Sequence, residues 1–274
     1  MPMPTQLEKI ATLRALHAAP GAFVIANAWD GASARILEGL GFPAIATSSG
    51  AHAGTLGRRD GHVTRQEALD HARLIVENTA LPVSADLENC FFDSAAEAAE
   101  TIRLAAATGL AGASIEDAPP DRSRGIYGFD HAVERVRAVV EAARATGTGF
   151  VVTGRTQNHI LPGADLAETI RRLRAFEAAG ADILMAPGLP TLADVETVCS
   201  SLSKPFNFMV GIPGRSFSVA ELEAAGVKRI SLATSLWKAA VTGLVAAARE
   251  AREQGTFSFV DSNIPGGELN RFLG

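Results

Sequence analysis

Short runs of β-branched and small apolar residues alternate along the chain with longer Ala-, Leu-, Arg- and Glu-rich stretches of helical period. The first run, Ala22-Phe-Val-Ile-Ala-Asn-Ala-Trp29, precedes a helical stretch from about Gly31 to Leu40, which Gly41 stops. Ala44-Ile-Ala-Thr-Ser-Ser49 follows, then a long connection to Thr64. There Thr64-Arg-Gln-Glu67 forms a capping box that opens a helix to about Asn78. Pro82-Val-Ser-Ala-Asp-Leu87 leads to a helix from Ser94, Gly112-Ala-Ser-Ile-Glu-Asp117 to one from about His131, and Phe150-Val-Val-Thr-Gly-Arg155 to one from about Ala164. Ala181-Asp-Ile-Leu-Met-Ala186, Pro205-Phe-Asn-Phe-Met-Val210 and Arg229-Ile-Ser-Leu-Ala233 precede helices from Thr191, Ser218 and Ser235, the last reaching Glu253.

Strands that read as apolar on both faces and are separated by helices imply a parallel sheet. Eight strand–helix units in 274 residues fit an α/β fold of the (β/α)8 TIM-barrel type better than a doubly wound sheet. No linker or low-complexity segment divides the chain, so residues 1–274 read as one barrel domain. Its last stretch, residues 255–274, carries Phe257, Phe259, Pro265, Gly266 and Gly267 with little periodicity, and reads as a tail packed on a surface, such as a neighbouring subunit's. The stretch Leu236-Trp-Lys-Ala-Ala-Val-Thr-Gly-Leu-Val is more apolar than a solvated outer helix requires, which points to a homotetramer or at least a dimer.

Composition narrows the function. With 47% hydrophobic and 20% charged residues the chain is globular, and no 18-residue apolar run suggests a membrane span. The segment Met1 to Leu16 is polar, carries Glu8, Lys9 and Arg14, and does not read as a secretory signal. A net charge of −5 without a basic stripe disfavours nucleic acid and membrane surfaces as partners. Cys90 and Cys199 lack CxxC or metal spacing, which suits a reducing cytoplasm.

Barrel enzymes work at the C-terminal ends of their strands. Here those ends carry Trp29-Asp30, Ser48-Ser49-Gly50, Asp86-Leu87-Glu88, Glu116-Asp117, Arg155-Thr156-Gln157 and Asn207. Asp86 and Glu88, two apart on a strand, would share one face, and Glu116 would meet them from the next strand. Converging carboxylates repel, and a divalent cation relieves that; an all-oxygen set points to Mg2+ or Mn2+. Ser48, Ser49 and Gly50 offer backbone N–H groups to an anion, and Arg155 offers a planar fork to a substrate carboxylate. Among the histidines, His159 draws notice because it lies just beyond Arg155. No lysine ends a strand, which disfavours a Schiff-base aldolase, and phosphate-loop and α/β-hydrolase motifs are missing.

Asn27-Ala-Trp-Asp30, Ala46-Thr-Ser-Ser-Gly50, Asp60-Gly61, Pro82-Val-Ser-Ala-Asp86-Leu-Glu88, Ala113-Ser-Ile-Glu116-Asp117, Arg155-Thr156 and Asn207-Phe-Met follow one another in an order that resembles the isocitrate lyase/phosphoenolpyruvate mutase superfamily. The resemblance implies a Mg2+-dependent barrel that makes or breaks C–C or P–C bonds in small 2-oxo or 2-hydroxy acids through an enolate, commonly as a tetramer with an exchanged last helix. It assigns Asp86, Glu88 and Glu116 to the metal, largely through waters, and Asp60 to organising the site. Arg155 would bind the substrate carboxylate, Ser48, Ser49 and Gly50 its oxygens, and Trp29 and Asn207 would line the pocket.

The chain departs from its relatives in two places. The lyases' Lys-Lys-Cys-Gly-His gate signature is replaced by residues 118–129, which hold no cysteine, lysine or histidine. The metal strand reads Asp-Leu-Glu-Asn-Cys-Phe instead of Asp-x-Asp-x-Gly-Tyr-Gly. These departures favour a lyase or decarboxylase of a 2-oxo or 2-hydroxy dicarboxylic acid, with water or Tyr127 protonating the enolate. A C–P or phosphoenolpyruvate enzyme using Arg122 or Arg124 in place of the gate lysine is an alternative, as is a non-catalytic barrel that binds a 2-oxo acid. Pro119, Pro120, Gly125 and Gly128 bracket Arg122, Arg124 and Tyr127, as expected of a lid.

Overall fold

In the computed structural model, which describes residues 3–274, parallel strands close into a barrel in chain order. They are β1 (Phe23–Ala28), β2 (Ile45–Thr47), β3 (Val83–Asp86), β4 (Gly112–Glu116), β5 (Val151–Arg155), β6 (Ile183–Met185), β7 (Phe206–Met209) and β8 (Arg229–Ser231). The helices are α1 (Gln6–Ala18), α2 (Gly31–Gly39), α3 (Ser49–Thr55), α4 (Arg65–Glu77), α5 (Ala95–Ala106), α6 (Phe129–Ala145), α7 (Leu166–Ala178), α8 (Leu192–Ser200), α9 (Val219–Ala224), α10 (Ser235–Arg249) and α11 (Gly266–Leu273). Each strand is followed by at least one helix, so the fold is a (β/α)8 barrel. Side chains at the helix starts accept from otherwise unpaired N–H groups: Asp30 before α2, Thr64 before α4, Ser94 before α5 and Asp165 before α7. Gly41, at φ +84°, makes the left-handed turn that ends α2.

Two apolar layers hold the barrel. Strand residues such as Ala113, Ile115, Val152 and Phe208 share a core with Ile102, Val139, Phe176 and Val195 of the surrounding helices. At the N-terminal end, α1 plugs the barrel, with Ile10 and Leu13 packed on Ile25, Ala111, Val151 and Ile183. A Thr5–Glu8 capping box starts α1, which precedes the first strand–helix unit.

The structure corrects the expectation of strands apolar on both faces. Asn27, Thr47, Ser84, Asp86, Ser114, Arg155, Arg229 and Ser231 line a narrow cavity that opens at the C-terminal mouth. Polar residues thus alternate toward the strand ends, as Ser84 and Asp86, Ser114 and Glu116, Thr153 and Arg155, and Arg229 and Ser231, and above the apolar layer at α1 the interior is a polar well rather than the branched apolar stack usual in this fold.

Three further differences concern connections. The long link after β2 contains α3, capped by the Ser48 hydroxyl. Helix α6 begins at Phe129, ahead of His131, where Gly128 leads the chain in. The tail is also more ordered than its composition implied. It forms a 3-10 turn over Ser258–Ser262 and then α11, which packs on α2 of its own chain, and Arg35 donates to the Leu273 carbonyl at 2.5 Å. Helix α10 buries no residue, and Leu244 is 67% exposed. Among the described residues no helix is long and apolar enough to cross a membrane. Cys90 is buried, Cys199 half-buried, and both are free thiols.

Candidate active site

The carboxylates are delivered by two neighbouring strands and one tight turn. Asp86 ends β3; its N–H donates to Thr47 Oγ1 at 2.9 Å, and its carboxylate accepts from Ser49 Oγ at 2.9 Å and the Glu88 N–H at 3.3 Å. The chain then leaves the extended conformation. Glu88, Cys90 and Phe91 all have positive φ, at 52°, 60° and 68°. Glu88 is therefore not the next same-face position of a strand, as its spacing from Asp86 had suggested; it reaches the mouth from a left-handed turn. Such geometry costs a non-glycine residue about 1–2 kcal/mol, so the turn needs outside support. Cys90 N–H donates to Leu87 O at 2.7 Å, Glu116 N–H to Glu88 O at 2.9 Å, and Thr101 Oγ1 to Cys90 O at 3.0 Å. The buried Arg135 guanidinium donates to the Asn89 and Phe92 carbonyls.

Glu116 ends β4 in register with Arg155, which ends β5. Both point into the barrel mouth, where Arg155 Nε lies 3.2 Å from Glu116 Oε2 and Nη1 lies 4.0 Å from Asp86 Oδ1. Gln157, not singled out from the sequence, donates its side-chain amide to Glu116 Oε2. Its backbone N–H bonds Asp117 at 2.8 Å, so a structural carboxylate places a site amide. Asp117 is buried and held by Thr156 at 2.7 Å and Arg172 at 3.1 Å; it roots the gate and does not face the cavity.

Electrostatics mark the same place. Burial, and then the negative neighbours Asp86, Asp60 and Glu116, push the Glu88 carboxyl up to about 8, against the pull of Arg122. Burial also raises Glu116, against Arg155 and Arg122. Glu88 Oε1 is buried without a partner, and the buried Glu116 Oε1 is met only by the gate arginine Arg122.

The gate residues divide. Residues 122–124 form a 3-10 turn that brings Arg122 Nη1 to 2.7 Å from Glu116 Oε1. Arg124 turns outward to Asp93 at 3.0 Å. Tyr127 does not reach the cavity either. Its hydroxyl donates to Asp93 at 2.6 Å and accepts from Asn89 at 2.9 Å, and its ring lies 4.4 Å from the Arg135 guanidinium. Tyr127 braces the strained turn, which is a positioning task.

Asp60 lies beside Gly50, within 3.2 Å of where a Cβ would stand there. Ser49 N–H is turned toward Asp86 at 3.4 Å, so it is engaged in this conformation, and the Ser48 hydroxyl caps α3. Trp29 lines an outer groove with Leu56 and Leu74 instead of the mouth cavity. Asn207 is fully buried beneath that cavity, clamped between Ser231 at 3.0 Å and Arg229 at 2.7 Å. His159 bonds Thr169 at 3.0 Å, away from the mouth.

Among the described residues, no three His, Cys, Asp or Glu side chains gather closely enough to ligate an ion directly. The donor set nevertheless suits a hard cation. It consists of oxygens alone, one of them, Glu88 Oε1, buried and unpartnered, and Mg2+ characteristically keeps several waters between itself and the protein.

The family model described as phosphoenolpyruvate phosphomutase matches residues 13–252. The chain belongs to that family. It thus sits in the isocitrate lyase/phosphoenolpyruvate mutase superfamily of lyases and mutases. The oxaloacetate decarboxylase of Bradyrhizobium diazoefficiens is 30% identical over 200 residues, 70% of this chain and 68% of that protein. A protein of Burkholderia cenocepacia J2315, described provisionally as a lyase/mutase, has a crystal structure that superposes with a TM-score of 0.95. It is 43% identical, over 97% of this chain and 96% of that one. The crystal structure of 2,3-dimethylmalate lyase gives a TM-score of 0.86 at 26% identity, over 100% and 96% of the two chains.

Proposed function

We propose that the protein is a Mg2+- or Mn2+-dependent lyase or decarboxylase of a small 2-oxo or 2-hydroxy dicarboxylic acid, working through an enolate. The observation that carries this is the juxtaposition of Asp86, Glu88 and Glu116 with Arg155 at the head of a polar well. Relatives named oxaloacetate decarboxylase and 2,3-dimethylmalate lyase support the substrate class. Asp86, Glu88 and Glu116 would hold the ion, largely through waters, with Asp60 adding charge; the bound ion supplies a Lewis acid that stabilises developing enolate charge.

The chain's own groups do the rest. Arg155, 13% exposed at its side chain, offers a buried guanidinium to the substrate carboxylate, and Glu116 and Asp86 orient it. Gln157 holds Glu116 in place from the other side. Arg122, carried on the gate, closes over the site, excludes water and strengthens both charge contacts. With Tyr127 engaged by Asp93 and Asn89, the enolate is protonated by water. The reaction therefore suits decarboxylation better than a cleavage that needs a strong side-chain acid.

Two features of the protein as a whole belong to the same reading. The unburied apolar face of α10 is covered by another copy of the chain, giving a dimer or tetramer. A reducing cytoplasm suits the two free thiols, which burial pushes up to about 12. The deciding experiment is turnover of oxaloacetate, substituted malates and phosphonopyruvate with and without Mg2+. Mg2+-dependent release of CO2 or a C–C cleavage product is expected. Turnover of phosphonopyruvate alone would overturn the reading in favour of P–C chemistry, and binding without turnover in favour of a non-catalytic barrel.

A further inference from the structure

Arg229, the first residue of β8, stands inside the barrel and is 5% exposed. Its Nε donates to Asn207 Oδ1 at 2.7 Å and Nη2 to Thr153 Oγ1 at 3.1 Å. Nη1 is buried and has no hydrogen-bond partner. No ion pair among the described residues includes Arg229, so its charge is answered only by neutral oxygens. Burial lowers its proton affinity to about 10, which leaves it a cation at neutral pH. An uncompensated buried cation is costly enough that proteins normally give it a counter-charge.

This cation faces the well. Arg229 lines the same cavity as Arg155, with Ser84, Ser114 and Ser231 between them on the walls. Its partner Thr153 lies two residues before Arg155 on β5, so Arg229 is tied to the interior level below Arg155, about 7 Å of strand rise down the barrel. The walls between them carry hydroxyls and small side chains, so the lining is polar from Arg155 to Arg229.

From this geometry we infer that Arg229 is a specificity-determining residue that receives the second carboxylate of a dicarboxylic substrate at the floor of the well. Arg155 holds the first carboxylate at the rim, and the spacing of the two cations selects a short dianion over a monocarboxylate. Asn207, fully buried, acts through Arg229 by fixing its plane, so it is a positioning residue. The inference rests on the reading of Arg155 as the anchor for the first carboxylate.

Calorimetric titration of the full-length protein in Mg2+ buffer with pyruvate and with 3,3-difluorooxaloacetate tests it. The wild type is expected to bind the dicarboxylate at least tenfold more tightly. Arg229→Met, similar in volume but uncharged, should erase that preference while leaving pyruvate affinity unchanged. Ser231→Asp, which places an internal carboxylate two positions away on the same face, should also erase it and raise the melting temperature, and it serves if the methionine variant does not fold. Equal affinity for the two acids in the wild type, or a preference that survives both substitutions, would overturn the inference alone. Failure of either acid to bind would overturn the reading of Arg155 as well.

Discussion

Arg122→Ala removes the gate cation that meets a buried carboxylate, with Nη1 2.7 Å from Glu116 Oε1. A charge-assisted contact of this kind contributes at most about 1.5–3 kcal/mol. The Arg122 side chain is 46% exposed, so solvent screening trims that to about 1–2 kcal/mol. If this contact holds the gate shut, its loss shifts the closed population by about five- to thirtyfold. Arg124 offers an internal control. It pairs with Asp93 outside the well, with both side chains more than half exposed, so Arg124→Ala should stay within about threefold of wild type. Steady-state decarboxylation of oxaloacetate at saturating Mg2+ should show kcat/KM reduced about five- to thirtyfold in Arg122→Ala. Hydrogen exchange over residues 119–126 should accelerate in that variant alone. Equal kinetic losses in the two variants, or unchanged exchange in Arg122→Ala, would refute the latch.

Asp86→Ala removes a carboxylate that Ser49 and the Glu88 N–H orient, and calorimetry should show Mg2+ affinity reduced about 10- to 100-fold; unchanged affinity would remove Asp86 from the ion's site. Burial holds His71 down to about 4, stacked 3.8 Å from His52 and bonded to Trp29 O at 2.9 Å. The folded state keeps His71 neutral while the unfolded chain takes up a proton below about pH 6.5. Stability is therefore complete above that pH and falls by about 1.4 kcal/mol per unit as pH drops toward 4. Urea unfolding of His71→Gln between pH 7 and pH 4 should show a slope shallower by that amount, whereas parallel profiles would contradict the assignment. Sedimentation should show a dimer or tetramer at micromolar concentration, and Leu244→Glu on the uncovered face of α10 should shift it toward monomer; a monomeric wild type would exclude the assembly.

Most of the architecture was legible along the chain, because a parallel barrel repeats local signals. Capping residues such as Thr64 and Ser94 open helices, Gly41 closes one, and short β-branched runs lie between them. The strand-end residues Asp86, Glu116 and Arg155 were legible for the same reason, since this fold exposes those positions at one mouth. What the sequence left open depends on partners far away in the chain. Glu88 leaves the strand because Arg135, Thr101 and Glu116 hold a left-handed turn, and no local rule places non-glycine residues there. Tyr127 and Arg124 share a loop with Arg122 yet turn away, because Asp93 and Asn89 hold them outside the well. Gln157 gains its place from Glu116 and Asp117, and Asn207 its task from Arg229, over separations of 41, 40 and 22 residues. The alternation Val83-Ser-Ala-Asp86 and Arg229-Ile-Ser231 was visible all along. Which alternate face looks into the barrel was settled only when the sheet closed, because closure turns one face of every strand toward a common axis where a buried arginine and a ring of hydroxyls meet.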